Sequence, residues 1–200
     1  MSEPEGHYFA ERPAVASAPG DVELALPDVH LRLATDRGVF SHGRIDAGTK
    51  LLLLRAPTPP VGDLLDLGCG AGPIALTMAH RCPDATVWAV DVNERARALC
   101  AANAAANGIG NVRVAAPDEV PGDVRFAAMW SNPPIRIGKA AMHDLLLRWL
   151  ARLEAGGAAH LVVHKHLGAD SLQRWLTEQG HPAERVASSA GYRILHVAAT

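Results

Sequence analysis

A chain of 200 residues, 48% of them hydrophobic and 18 of them glycine, can bury one sizeable domain with a small appendage, and disorder is excluded over most of its length. The formal charge of −2 excludes a protein that grips nucleic acid through a general excess of cations, so an RNA ligand would need a local basic patch or contacts to its bases. The three cysteines, Cys69, Cys82 and Cys100, lack metal-ligand spacing and indicate neither a zinc site nor a disulfide framework.

Residues 1–20 are polar, contain three prolines and read as a lead-in. They have no basic stretch followed by an apolar one, and no apolar run in the chain reaches membrane-spanning length, so the expected address is the cytoplasm, with no membrane partner. Val22–Leu26 and Val29–Ala34 alternate apolar and polar residues around Pro27-Asp28, which predicts a hairpin. Phe40-Ser41-His42-Gly43-Arg44 is a loop, and Asp46–Arg55 a helix ended by Pro57, Pro59 and Pro60. A strand, turn, helix alternation follows. Strands are expected at Asp63–Leu67, Thr86–Val90, Asn111–Ala115, Phe126–Trp130 and Ala158–Val163. Helices are expected at Ile74–His80, Asn93–Asn107, Ala140–Glu154 (stopped by Gly156-Gly157) and Ala169–Gln179. Arg185–Ser188 and Tyr192–Val197 close the chain as an antiparallel pair. This order implies an α/β fold, a mostly parallel sheet with helices on both faces and an antiparallel edge hairpin, in one domain: residues 1–35 as lead-in and hairpin, 36–200 as the core. Ligands of such sheets lie at the carboxyl ends of the strands.

Two constellations fall at those ends. In the first, Asp66 precedes the turn Gly68-Cys69-Gly70-Ala71-Gly72, where glycines allow a tight bend and let a ligand lie on the backbone. A carboxylate beside such a turn repels a phosphate and suits an ammonium group, which S-adenosyl-L-methionine carries. Asp91, at the end of the next strand, can accept both hydroxyls of a ribose. Cys69 and Val92 adjoin these residues and are counted with them as candidate cofactor contacts. Asp118 stands after the third strand, where an acid could meet an adenine amine, and equally reads as a turn acid.

The second constellation is Ser131-Asn132-Pro133-Pro134-Ile135. Two prolines end the strand stiffly, so the Asn132 side-chain oxygen and the Pro133 carbonyl can accept two hydrogen bonds from one NH₂ group. A conjugated amine is neutral at pH 7 and needs alignment more than a base. Arg44, Lys50, Arg136 and Lys139 can form a basic rim at the pocket mouth, or be ordinary solvated cations. His164-Lys165-His166 follows the fifth strand without a third ligand, so no metal is expected.

Together these motifs resemble the methyltransferase small domain group of Rossmann-like class I methyltransferases, which includes the RsmC-type rRNA guanine-N2 enzymes. Further similarities are Gly38-Val39-Phe40-Ser41 with Gly43, Asp46-Ala47-Gly48-Thr49, Arg136 with Gly138-Lys139, and Gly191-Tyr192-Arg193. The resemblance implies a seven-stranded sheet, S-adenosylmethionine as methyl donor and an exocyclic amine as acceptor, most specifically guanine N2 in ribosomal RNA, free or in the small subunit. It implies that Asp66, Gly68, Gly70, Asp91 and Asn132 meet the cofactor, that Asn132, Pro133, Pro134 and Ile135 hold the amine, that Phe40 to Asp46 flank the pocket, and that Phe40, Ser41, Arg44, Arg136 and Lys139 meet the substrate. The chain departs from the group in having one catalytic half where proteobacterial members have a duplicated chain. It also has Ile135 where many amine methyltransferases carry an aromatic ring. Rival readings are a methyltransferase for a small heteroaromatic amine or a protein glutamine, and a non-catalytic cofactor-binding scaffold.

Overall fold

Runs that are apolar on consecutive positions suit strands buried on both faces, and the central strands have that character. The computed structural model describes residue 11, residues 15–41 and residues 43–200, with only the backbone at Arg136. His42 and most of the lead-in lie outside the described residues. Strands β1 (Gly20–Ala25) and β2 (His30–Thr35) form the expected hairpin. Helix α1 (Ala47–Arg55) follows, then β3 (Asp63–Leu67), α2 (Pro73–Arg81), β4 (Thr86–Val90), α3 (Glu94–Ala106), β5 (Val112–Ala115) and β6 (Phe126–Ser131). The rest is a short 3₁₀ turn (Ile135–Ile137), α4 (Lys139–Leu150), β7 (Leu153–His164), a second 3₁₀ turn (Lys165–Leu167), α5 (Ala169–Glu178), β8 (Ala183–Ser189) and β9 (Tyr192–Ala198).

The main sheet has seven strands in the order β5-β4-β3-β6-β7-β9-β8. Only β9 runs against its neighbours, and it is inserted between β7 and β8. Alternate residues of each strand point to opposite faces, which explains two separate cores. Leu64, Val87, Ala89, Ala128 and Ile194 pack under the hairpin and helices α1, α2 and α3. Leu65, Trp88, Val90, Met129 and Leu195 pack under α4 and α5. The hairpin is held to α3 by Asn103, whose side chain accepts from the Ala34 N–H and donates to the carbonyls of Ala34 and Ala71.

One boundary departs from expectation. Helix α4 ends at Leu150, and residues 153–157, expected as helix end and stop signal, are already strand β7. The two glycines mark a bulge, not a helix stop: Phe126 pairs with Leu153, yet Ala128 pairs with Ala158. A Cβ on Gly157 would stand 3.0 Å from three backbone carbonyls, so the extra residues need glycine there.

From β3 the chain moves outward through β4 to β5, then returns to β6 on the other side of β3. The carboxyl ends of β3 and β6 are therefore neighbours across the switch point, where doubly wound sheets bind ligands. The buried Ser131 hydroxyl ties them by donating to the Leu67 carbonyl at 2.6 Å.

Candidate active site

A cleft of about 560 Å³ opens at this switch point. It is within the ~300–1,000 Å³ range of small-molecule sites. Of the residues singled out in the sequence, Phe40, Ser41, Arg44, Gly68, Gly70, Asp91, Val92, Asn132, Pro133, Pro134 and Ile135 all line it. Four do not. Asp118 is exposed on a turn closed by its neighbour Glu119, whose side chain accepts from the Ala116 N–H. Lys139 is exposed at the start of α4, outside the cleft wall. Cys69 and Asp66 lie beneath the floor. The side chain of Arg136 is outside the described residues.

One wall is the glycine turn. Gly68, Gly70 and Gly72 have φ of +80°, +55° and +94°, a region L side chains avoid. At Gly68 a Cβ would meet nothing within 4 Å, so open space stands over the turn. The N–H groups of Gly68 and Cys69 donate to the Val90 carbonyl, that of Gly70 to Asp91 Oδ2 at 3.0 Å, and that of Gly72 to the Cys69 carbonyl. A phosphate cradle needs free amides. With these four donated internally, the turn is not such a cradle.

Asp66 is completely buried below that turn. Its Oδ2 accepts from the Ala75 N–H at 2.9 Å, pinning the start of α2, and its Oδ1 has no hydrogen-bond partner among the described residues. Burial pushes its pKa up to about 8, the Asp91 charge adds to the rise, and the Ala75 N–H opposes it. The sequence suggests a carboxylate facing the ligand's ammonium; the structure places that carboxyl under the backbone of the turn, out of the cleft. Asp91 does face the cleft. Its two oxygens accept from the N–H groups of Gly70 and Asn93, at 3.0 and 2.9 Å. Burial raises its pKa, while those two N–H groups and Arg97 hold it down. Each oxygen keeps lone-pair capacity for a ligand hydroxyl. Cys69 turns inward against Cys100, and that contact together with burial raises its thiol pKa well above the ordinary range, which makes it a packing residue.

The opposite wall is built from side chains. Asn132 follows β6, and its Nδ2 donates to Asp46 Oδ2 at 2.9 Å and to Thr49 Oγ1 at 3.1 Å. Asp46 is the N-cap of α1, its Oδ2 also accepting from the Thr49 N–H at 3.0 Å. The Tyr192 hydroxyl, from β9, donates to Asp46 Oδ1 at 3.3 Å. Burial and the Asp46 carboxylate raise the tyrosine's pKa. A carboxylate can only accept, so the amide nitrogen of Asn132 must face Asp46, and its oxygen is the atom left for the cleft. Beside it, Pro134 adopts φ −76° and ψ 73°, an inverse γ-turn in which the Ile135 N–H donates to the Pro133 carbonyl at 2.8 Å. One lone pair of that carbonyl stays available. The arrangement can hold an NH₂ group between two oxygen acceptors.

His164 also lines the cleft. Its Nδ1 accepts from the His166 N–H at 3.3 Å and its ring meets the Tyr192 ring edge-on at 4.9 Å. Among the described residues no group of three or more His, Cys, Asp or Glu is placed to hold a metal, and no helix is long and apolar enough to cross a membrane. The resemblance puts Asp46 at the pocket flank, where it lies, but the hydrogen bonds that join Asp46, Thr49 and Tyr192 to Asn132 are not visible in the sequence. The only signal was that their motifs looked like parts of the same group.

The sequence matches the methyltransferase small domain family over residues 30–196. The chain is 37% identical over 193 residues to an uncharacterized Bacillus subtilis protein, YbxB, covering 94% of this chain and 96% of that one. It is 36% identical over 149 residues to Ribosomal RNA small subunit methyltransferase C of Pseudomonas putida, covering 72% of this chain and 45% of the relative. Among solved structures it is similar to the T. thermophilus 16S rRNA N2 G1207 methyltransferase (RsmC) in complex with AdoMet and guanosine, with a TM-score of 0.77 and 22% identity, over 94% of this chain and 52% of that one. It thus spans about half the length of the latter two proteins and nearly all of the first. The chain belongs to the methyltransferase small domain family of S-adenosylmethionine-dependent enzymes.

Proposed function

We propose that this chain methylates the exocyclic N2 amine of a guanine in ribosomal RNA. The observation that carries the reading is the fixed amide of Asn132, which leaves its oxygen beside the Pro133 carbonyl as a pair of acceptors for one NH₂ group. S-adenosylmethionine supplies, when bound, a methyl carbon on a positively charged sulfur. The carbonyls of the glycine turn would take its ammonium group and Asp91 its ribose hydroxyls, with Val92 at the edge of the same cleft. Asn132 Oδ1 and the Pro133 carbonyl would bind both amine hydrogens and leave the nitrogen lone pair toward the methyl carbon. As the nitrogen–carbon bond forms, the carbon–sulfur bond would break to give a neutral thioether. The methylated nitrogen would then lose one proton to water, being acidic enough to need no strong base. Phe40 and Ile135 line the cleft with apolar surface for a flat ring, and Arg44 brings a cation to its mouth.

The ribosomal target is supported by the relatives named for small-subunit rRNA methylation. The test is transfer of labelled methyl to RNA from a strain lacking this gene, offered free and as small ribosomal subunits, followed by nucleoside analysis. Label in N2-methylguanosine is the expected result. Label that appears only in free heteroaromatic amines or in protein glutamine, and in no RNA, overturns the rRNA assignment.

A further inference from the structure

Two segments of the sequence, Asp46-Ala47-Gly48-Thr49 and Gly191-Tyr192-Arg193, have no role in the amine contacts proposed above. They meet beside Asn132 at the cleft wall, which Asp46 and Tyr192 also line. Asp46 lies 86 residues from Asn132 and 146 from Tyr192, and its carboxylate bonds to both. The two oxygens are divided between tasks: Oδ2 caps α1 and takes the Asn132 amide, while Oδ1 takes the Tyr192 hydroxyl. The site is built closely around this division. A Cβ on Gly48 would stand 2.6 Å from the Tyr192 ring and 2.9 Å from Asp46 Oδ2, so only glycine lets the ring and the carboxylate meet there. Thr49 is buried and supplies the second acceptor for the amide at 3.1 Å.

We infer that Asp46, supported by Thr49 and Tyr192, is the positioning residue that decides which atom of Asn132 the acceptor amine meets. The inference rests on the amine-methylation reading above. An asparagine amide has nearly equal ends and can turn over about its last bond. Turned over, it would set its oxygen against the Asp46 carboxylate and an NH₂ against the substrate NH₂, where two donors oppose each other. The Asp46 carboxylate permits only the productive orientation. Asp46 therefore acts on the amine through Asn132.

A purely structural role, capping α1, is separable by chemistry. Asp46→Ser keeps a good N-cap but is too short to reach Asn132. Asp46→Asn can cap and accept through its oxygen while turning its NH₂ toward Tyr192, whose hydroxyl can accept. Two measurements are made on each variant. The first is hydrogen exchange of the Asn132 side-chain NH₂ in ¹⁵N-labelled protein, its signals assigned by their loss in Asn132→Asp. The second is kcat, KM and cofactor affinity with whichever acceptor the native chain methylates. Asp46→Ser is expected to speed NH₂ exchange at least tenfold and to lower kcat by about 100-fold, the scale of a misplaced reacting group, with melting temperature and cofactor affinity retained. Asp46→Asn is expected to recover most of the lost rate. Unchanged exchange in Asp46→Ser, or a kcat that falls only in step with melting temperature, overturns the positioning role. If the native chain transfers methyl to no amine, the amine reading fails on that result alone, while the exchange measurement still decides whether Asp46 holds the amide.

Discussion

The two walls of the cleft are made differently. The donor wall runs from Asp66 to Asn93, a continuous stretch in which backbone amides are fixed by the carboxyl groups of Asp66 and Asp91 and by each other. The acceptor wall draws on loop residue Phe40, the cap of α1, the end of β6 and the start of β9, and is held by side-chain hydrogen bonds across 83 to 146 residues. A wall made of backbone tolerates side-chain change poorly where a Cβ has no room. A wall made of side chains fails one atom at a time. The first predicts losses of folding and cofactor binding together, the second losses of rate alone.

The largest expected effect tests the second half of that contrast. Asn132→Ala removes one of the two acceptors for the amine, and kcat should fall by about 10²–10³, the scale for removing one transition-state hydrogen bond. Cofactor affinity measured by calorimetry should change by less than about twofold, and a parallel loss of both would erase the distinction between the walls. Next comes Gly72→Ala. Its Cβ would lie 2.7 Å from both Cys100 Sγ and Leu76 Cδ1 at a φ of +94°, so urea denaturation should show a loss of about 2–4 kcal/mol from overpacking and left-handed strain. Gly68→Ala sharpens the point, because open space surrounds that Cβ. Its stability loss should be only ~1–2 kcal/mol from the positive φ, with most of the damage in cofactor affinity.

Asp66 gives an effect that depends on pH. Its carboxyl holds its proton to about pH 8 in the folded chain, whereas the unfolded chain ionises near 3.8. Between those values the unfolded state binds fewer protons, so stability falls as pH rises, by up to ~1.4 kcal/mol per unit, and levels off above about 8. Asp66→Asn should flatten the profile of unfolding free energy between pH 5 and 8 in ligand-free protein. Asp91, also raised, keeps part of the slope. A profile identical in slope to that of the native chain would mean that Asp66 is ionised beneath the turn. The smallest effect is expected at Asp118→Ala, exposed and off the cleft, where cofactor affinity should stay within about twofold.

The same contrast explains what the sequence revealed. Asp63–Leu67 and Thr86–Val90 are apolar runs bounded by turn residues, and both strands have the expected limits. The glycine turn and Asp91 were legible because they are local: their spacing alone brings them together at adjacent strand ends. Asp66 was placed at the right strand end but on the wrong side of the floor, since sequence gives position along a strand more readily than depth below a turn. Asp46 and Tyr192 could not be joined to Asn132 by spacing, because their meeting depends on sheet order, with β9 beside β7 and α1 over the end of β6. Gly156-Gly157 misled for a related reason. Glycine pairs punctuate both helix ends and bulged strands, and only the register of β7 against β6 separates the two.

The position of β9 sets an order of events during synthesis. It leaves the ribosome after β8 yet lies inside it, against β7, and it carries Tyr192. Every residue of the donor wall has been made once α3 has emerged, but Asp46 has no hydroxyl on its second oxygen until the last strand slides between two others. Vectorial growth thus leaves the acceptor end unfinished until the sheet has closed.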